Sequence, residues 1–140
     1  MAAFQSYNKL LLGGGGNIAN IKAGDAVIGY EFGVYYPSYR GTFLSCIESF
    51  AVYVDGGRVP DGDIIFKLNG KECLLSQLPE LYLEYWFILD EARIFVLKDG
   101  GLQGGGHDVR VEMRHRIPYT GYFGSYMVLD SADERVLAAG

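Results

Sequence analysis

His107-Asp108-Val109-Arg110-Val111-Glu112-Met113-Arg114-His115-Arg116-Ile117 decides the fold class. Val109, Val111, Met113 and Ile117 fall on one phase, while Asp108, Arg110, Glu112, Arg114 and Arg116 fall on the other. Period-two alternation over this length predicts a strand with one face in a core and the other in water. Working outward, runs rich in β-branched and aromatic residues predict further strands at Val27–Tyr36, Ile47–Val54, Ile64–Leu68, Glu84–Leu89 and Arg93–Leu97.

Turn chemistry separates these runs. Asn69-Gly70, between Ile64–Leu68 and Lys71–Leu75, supplies the positive φ angles of a type I′ hairpin. Asp55-Gly56-Gly57 and Asp99-Gly100-Gly101 end two other strands. Only Ser76–Leu81 suggests a helix, with Ser76 as its cap and Pro79 in its first turn. Short strands at about ten-residue spacing with one short helix at most predict an all-β fold. The expectation is an antiparallel β-sandwich, jelly-roll-like, with an open β-barrel as the alternative. One domain is expected over residues 1–140, and residues 1–25 are the least certain part of it.

Composition narrows the function. The chain has 140 residues, of which 49% are hydrophobic and 14% aromatic, so it is expected to fold rather than stay disordered. A net charge of −5 argues against a basic nucleic-acid surface. No apolar run reaches the roughly 18 residues of a membrane span. Met1–Leu12 does not read as a signal peptide. With two cysteines, Cys46 and Cys73, and no CxxC spacing, a reduced, cytoplasmic protein is the expectation.

Catalytic sets are sparse. The tracts Gly13–Gly16 and Gly100–Gly106 lack the lysine and the following helix of a phosphate loop, and read as hairpin loops. His107 and His115 share a strand phase, but eight residues of strand separate them by about 26 Å, too far for one ion. Structural roles are favoured for both, and His115 is the better candidate for a ligand or proton-transfer group. Cys46 lies in a strand pattern without a helix N-terminus to activate it. Asp61 and Asp63 lack the further oxygen ligands of a calcium loop.

Two segments stand out by their aromatic and arginine density. One is Val34-Tyr35-Tyr36-Pro37-Ser38-Tyr39-Arg40-Gly41-Thr42-Phe43; the other is Arg116-Ile117-Pro118-Tyr119-Thr120-Gly121-Tyr122-Phe123-Gly124-Ser125-Tyr126. Their Pro and Gly residues predict loops, and Tyr and Arg are the types enriched at interface hot spots. Core packing accounts for Tyr30 and Phe32. An interface or substrate-proximal role is expected for Tyr36, Pro37, Tyr39, Arg40, Tyr119, Thr120, Tyr122 and Phe123.

At these residues the chain resembles a known family. The run from Gly33 to Glu48 is similar to the signature of the small (beta) subunit of bacterial C-glycoside deglycosidases. Val54-Asp55-Gly56, Glu84-Tyr85-Trp86-Phe87 and Ile117-Pro118-Tyr119-Thr120-Gly121-Tyr122-Phe123-Gly124 follow in the family's order. The glycine tracts depart from it. The resemblance implies a β-sandwich paired with a larger (alpha) subunit, a TIM barrel holding a divalent metal, usually manganese. It implies cleavage of the C–C bond between a 3-oxo sugar and an aromatic, flavonoid-like aglycone. It implies that the metal lies on the partner, with no metal or cofactor in this chain; charge and hydropathy leave neither nucleic acid nor membrane as an expected partner. Two other readings compete: a stand-alone carbohydrate-binding sandwich module and a small jelly-roll isomerase acting alone.

Overall fold

The computed structural model describes residues 11–13, 17–38, 40–117 and 127–139. They hold the strands β1 Ala19–Ala23, β2 Ala26–Val34, β3 Thr42–Phe43, β4 Ile47–Val54, β5 Gly57–Arg58, β6 Ile64–Leu68, β7 Lys71–Leu74, β8 Tyr85–Trp86, β9 Ala92–Leu97, β10 Gly105–Ile117 and β11 Met127–Ala139. Their order is β1-β2-β9-β6-β7 in one sheet and β11-β10-β4-β5 in a second, with β3-β8 as a separate pair. The strand pairings are antiparallel. The fold is therefore an all-β sandwich-like arrangement of two sheets, not one sheet closed on itself.

Alternation builds the core. On β10, Val109, Val111, Met113, His115 and Ile117 are buried. Across from them lie Tyr30, Phe32 and Val34 of β2, Ile64, Phe66 and Leu68 of β6, and Ile94 and Val96 of β9. Phe50 on β4 meets Phe66 on β6 edge-to-face at 5.9 Å, which joins the two sheets. β4 carries a bulge, because Arg114 pairs with Ser49 while His115 pairs with Ile47. At one side the sheets also meet through Ile18, whose N–H donates to the Ala138 carbonyl at 2.8 Å. Buried Leu11 and Leu12 cover the same side: Tyr35 N–H reaches the Leu11 carbonyl at 3.0 Å, and Leu12 N–H reaches Asp133 Oδ2 at 3.0 Å.

Four local expectations change. The Glu84–Leu89 strand shrinks to Tyr85–Trp86 because Phe87–Asp90 closes a turn, Asp90 N–H donating to the Phe87 carbonyl at 3.0 Å. The helix is a 3₁₀ segment, Leu75–Glu80, entered at Leu74, whose N–H donates to Gln77 Oε1 at 2.8 Å, so Ser76 is not its cap. Gly100–Gly106 is no hairpin: it crosses from β9 in one sheet to β10 in the other. Gly101 passes so close to the Asn20 side chain that a Cβ would collide with it, and Asn20 holds the crossing by bonding both the N–H and the carbonyl of Leu102. Finally, β11 was not apparent from periodicity. Gly14–Gly16 and residues 118–126, the part of the second aromatic segment after Ile117, lie outside the described residues.

Candidate functional site

The first aromatic segment leaves β2 at Val34 and enters the space between the sheets. Tyr36 is 1% exposed, and Pro37 and Ser38 are also buried, whereas Arg40 is exposed. Tyr36 and Pro37 thus sit inside the chain, and Arg40 is the described member of the segment's candidate set that reaches solvent. Tyr39, Tyr119, Thr120, Tyr122 and Phe123 lie outside the described residues.

Tyr36 reaches His115. Its hydroxyl lies 2.7 Å from His115 Nδ1, and His115 Nε2 lies 2.9 Å from Ser131 Oγ. The chain Tyr36–His115–Ser131 joins the β2 exit to β10 and β11 in a site where none of the three is more than 5% exposed. Burial, against a smaller opposing pull from Asp130, pushes the His115 pKa down to about 4. The ring is therefore neutral at pH 7, one nitrogen donating and the other accepting, and either tautomer satisfies both neighbours. The Tyr36 ring packs on His115 at 5.1 Å and on Trp86 at 5.4 Å. The network holds the segment's root to β10 and β11.

His107, on the same strand phase, has the opposite electrostatics. Nδ1–H donates to Asp55 Oδ2 at 2.6 Å and Nε2–H to the Gln103 carbonyl at 2.7 Å. With acceptors on both nitrogens, the charged ring is favoured, and its pKa is raised by the Asp55 carboxylate first and the Gln103 carbonyl second. This pair ties the sheet-crossing segment to the turn after β4. Among the described residues, no three His, Cys, Asp or Glu side chains come together as a metal site.

The structure adds a surface that sequence reasoning missed. β3 and β8 pair through Thr42–Trp86 and Phe43–Tyr85. Gly41 permits this approach: a Cβ there would strike the Trp86 carbonyl oxygen and lie 2.8 Å from the Tyr85 ring. Phe43 and Tyr85 meet edge-to-face at 5.0 Å, and Tyr85 meets Phe87 at 4.6 Å. Beneath this ladder the fully buried Trp86 donates Nε1–H to the Asp90 carbonyl at 2.8 Å. Thr42 Oγ1 is buried with no hydrogen-bond partner among the described residues. The signal available in the sequence was Tyr82-Leu83 and Ile88-Leu89, large apolar pairs at positions that do not continue a strand period.

No described helix is long and apolar enough to cross a membrane. A family model described as C-glycoside deglycosidase beta subunit matches residues 14–119. A protein named C-glycoside deglycosidase beta subunit from Eubacterium cellulosolvens is 35% identical over 92 residues, 65% of this chain and 63% of that one. One of the same name from Arthrobacter globiformis is 28% identical over 85 residues, 61% of this chain and 64% of that one. The chain thus spans a little under two thirds of the length of these two relatives. A 3'-dehydrocarminate deglycosidase beta subunit from Microbacterium sp is 30% identical over 107 residues, 76% of this chain and 80% of that one.

Proposed function

The chain belongs to the C-glycoside deglycosidase beta subunit family, and from that membership we propose that it is the small subunit of a hetero-oligomeric enzyme that cleaves the C–C bond between a 3-oxo sugar and an aromatic aglycone. Its partner is a larger TIM-barrel subunit that carries the divalent metal, manganese being the first choice. The observation that carries this reading is the family match over residues 14–119, which takes in β1 to β10 and with them the β3–β8 pair. The name of the Microbacterium relative, 3'-dehydrocarminate deglycosidase beta subunit, supports a dehydrogenated, keto sugar as substrate.

The chemistry suits a keto sugar. A ketone at C3 acidifies the C2–H bond; removal of that proton and expulsion of the aglycone carbon from C1 leaves a C1=C2 double bond. The departing ring carbon takes up a proton. This chain's part is to complete and shield the site, and Tyr36, Pro37, Tyr39, Arg40, Tyr119, Thr120, Tyr122 and Phe123 are the residues assigned to the contact with partner or substrate; of these, Arg40 is the described residue that reaches solvent, while Tyr36 and Pro37 are buried. Cytoplasmic residence completes the proposal.

The test is reconstitution with the larger subunit. Turnover of a 3-oxo-C-glycoside is expected only when both chains are present, in a complex that elutes as one species. Full turnover by the larger subunit alone, or failure of the two to associate, would overturn it.

A further inference from the structure

We infer that the exposed apolar surface formed by Phe43, Tyr82, Leu83, Phe87, Ile88 and Leu89 is the face by which this chain docks its larger partner subunit. The inference rests on the subunit reading above and adds to it a location. Tyr82 is 67% exposed, Leu83 78%, Phe87 59% and Leu89 86%. Tyr82-Leu83 and Ile88-Leu89 occupy turns, positions that Gly, Pro, Asn, Asp and Ser ordinarily take for conformational reasons. Large apolar side chains there satisfy neither the turn nor the core of the chain. A monomer's largest apolar patch runs to about 300–600 Å² and is often functional, and six side chains of this size and exposure reach that range.

The surface is also pre-organised. Phe43, Tyr85 and Phe87 brace one another edge-to-face, and the buried Trp86 pins the strand beneath them through the Asp90 carbonyl. Rings already fixed in place lose little freedom on docking, which favours affinity. It also continues the aromatic segment singled out by sequence, because Gly41 brings Arg40 to its border.

The occupant follows from the family, whose members are named as beta subunits and so imply a second, different subunit. The segment Pro79–Glu91 contains Glu80, Glu84, Asp90 and Glu91 and no Lys or Arg, and two of these acids are paired from outside it, Glu84 with Lys71 and Glu91 with Arg93. The fitting partner surface is apolar at its centre, with a polar rim that meets these pairs and the remaining acids. Other outward faces are of a different kind. The outer side of β10 carries Arg110 paired with Glu112, Arg114 with Asp130 and Arg116 with Glu48. The outer side of the other sheet carries Glu31 between Lys67 and Arg93.

The experiment titrates the separately purified larger subunit with the whole chain, with F87E/L89E, and with V136E as a control on β11, where Val136 is 73% exposed. The expected result is a loss of at least about 100-fold in affinity for F87E/L89E at an unchanged melting temperature, with V136E binding like the native chain. Native affinity in F87E/L89E, with the native chain binding, overturns the face and leaves the subunit reading standing. No binding by the native chain overturns both. A native chain that is dimeric alone, and monomeric as F87E/L89E, assigns the face to self-association and overturns the docking assignment. If F87E/L89E fails to fold, hydrogen exchange on the native complex decides: slowed amides over residues 82–89 support the face, and unchanged exchange there overturns it.

Discussion

Two histidines on one phase of β10 respond to acid in opposite senses. His115 is neutral in the fold, with its pKa pushed from 6.5 to about 4 by burial. Between those values the unfolded chain takes up a proton that the folded chain refuses, so stability falls as pH falls through that window. The full effect is about 3 kcal/mol, and denaturant titrations at pH 7, 5.5 and 4 check it; the slope is expected to vanish in His115→Gln. His107 is raised above 6.5 by Asp55 and the Gln103 carbonyl. Its contribution is present below 6.5 and is lost as pH rises through its folded pKa, which a ring-proton titration by NMR locates. His115→Ala removes the described partner of Ser131 Oγ and one partner of the Tyr36 hydroxyl; a buried polar group so deprived costs about 1–3 kcal/mol, so a loss of at least that size at pH 7 is expected. Thr42→Val should act the other way, stabilising the chain by up to about 1 kcal/mol in the same denaturation assay, because the buried hydroxyl it removes has no hydrogen-bond partner among the described residues. None of these pairings was legible from spacing. Tyr36 and His115 are 79 positions apart, and a histidine on an apolar phase announces burial without naming its partner.

At the scale of elements, legibility followed how lopsided each strand is. β10 was readable from His107 to Ile117 because one phase is mostly apolar and the other charged, while its first two residues, Gly105 and Gly106, read as loop. β4 and β6 were readable because β-branched and aromatic residues cluster between clear turns. β11 was not, since its buried positions are filled by Ser131, Leu137 and Ala139, small or polar apart from one leucine. The segment after Tyr85 read as a strand because its apolar residues suit a sheet, yet Phe87, Ile88 and Leu89 face outward; composition without period could not tell core from docking surface. The hairpin between β6 and β7 was readable from two letters. Asn69 has φ 53° and Gly70 φ 80°, the pair of positive values that a type I′ turn requires. Gly70 has open space around it, so Gly70→Ala tests backbone conformation alone and should lower stability by about 1 kcal/mol. Gly62→Ala is the control: that site is equally open and lacks a positive φ, so its melting temperature should hold or rise.

For the whole molecule, the sandwich was foreseeable and the route of the chain between its sheets was not, because crossing and hairpin connections use the same glycines. Association is where the surface predictions converge. Arg58 pairs with Asp61 at 3.5 Å in an exposed setting, and its truncation should change partner affinity by under about 1 kcal/mol. Arg40 borders the apolar face, and Arg40→Ala should weaken the complex by about 2–5 kcal/mol if the partner desolvates it; calorimetric titration of the two variants against the larger subunit ranks them. The purified single chain should carry no stoichiometric transition metal and no C–C cleaving activity, which elemental analysis and a product assay check.

Trp86 is the chain's single tryptophan, and its position gives it a further use. The indole is fully buried, tilted against Tyr36, edge-to-face with Phe66 and bonded to a backbone carbonyl. Its fluorescence should therefore emit at short wavelength and resist acrylamide quenching while the chain is folded. The strand that holds it is also the strand that presents Tyr85 and, one residue on, Phe87 to the outside. One native fluorophore thus lies between core and surface: unfolding should shift its emission to the red, whereas capping the rings outside it should alter intensity with little change in wavelength. Folding and assembly become optically separable without a label.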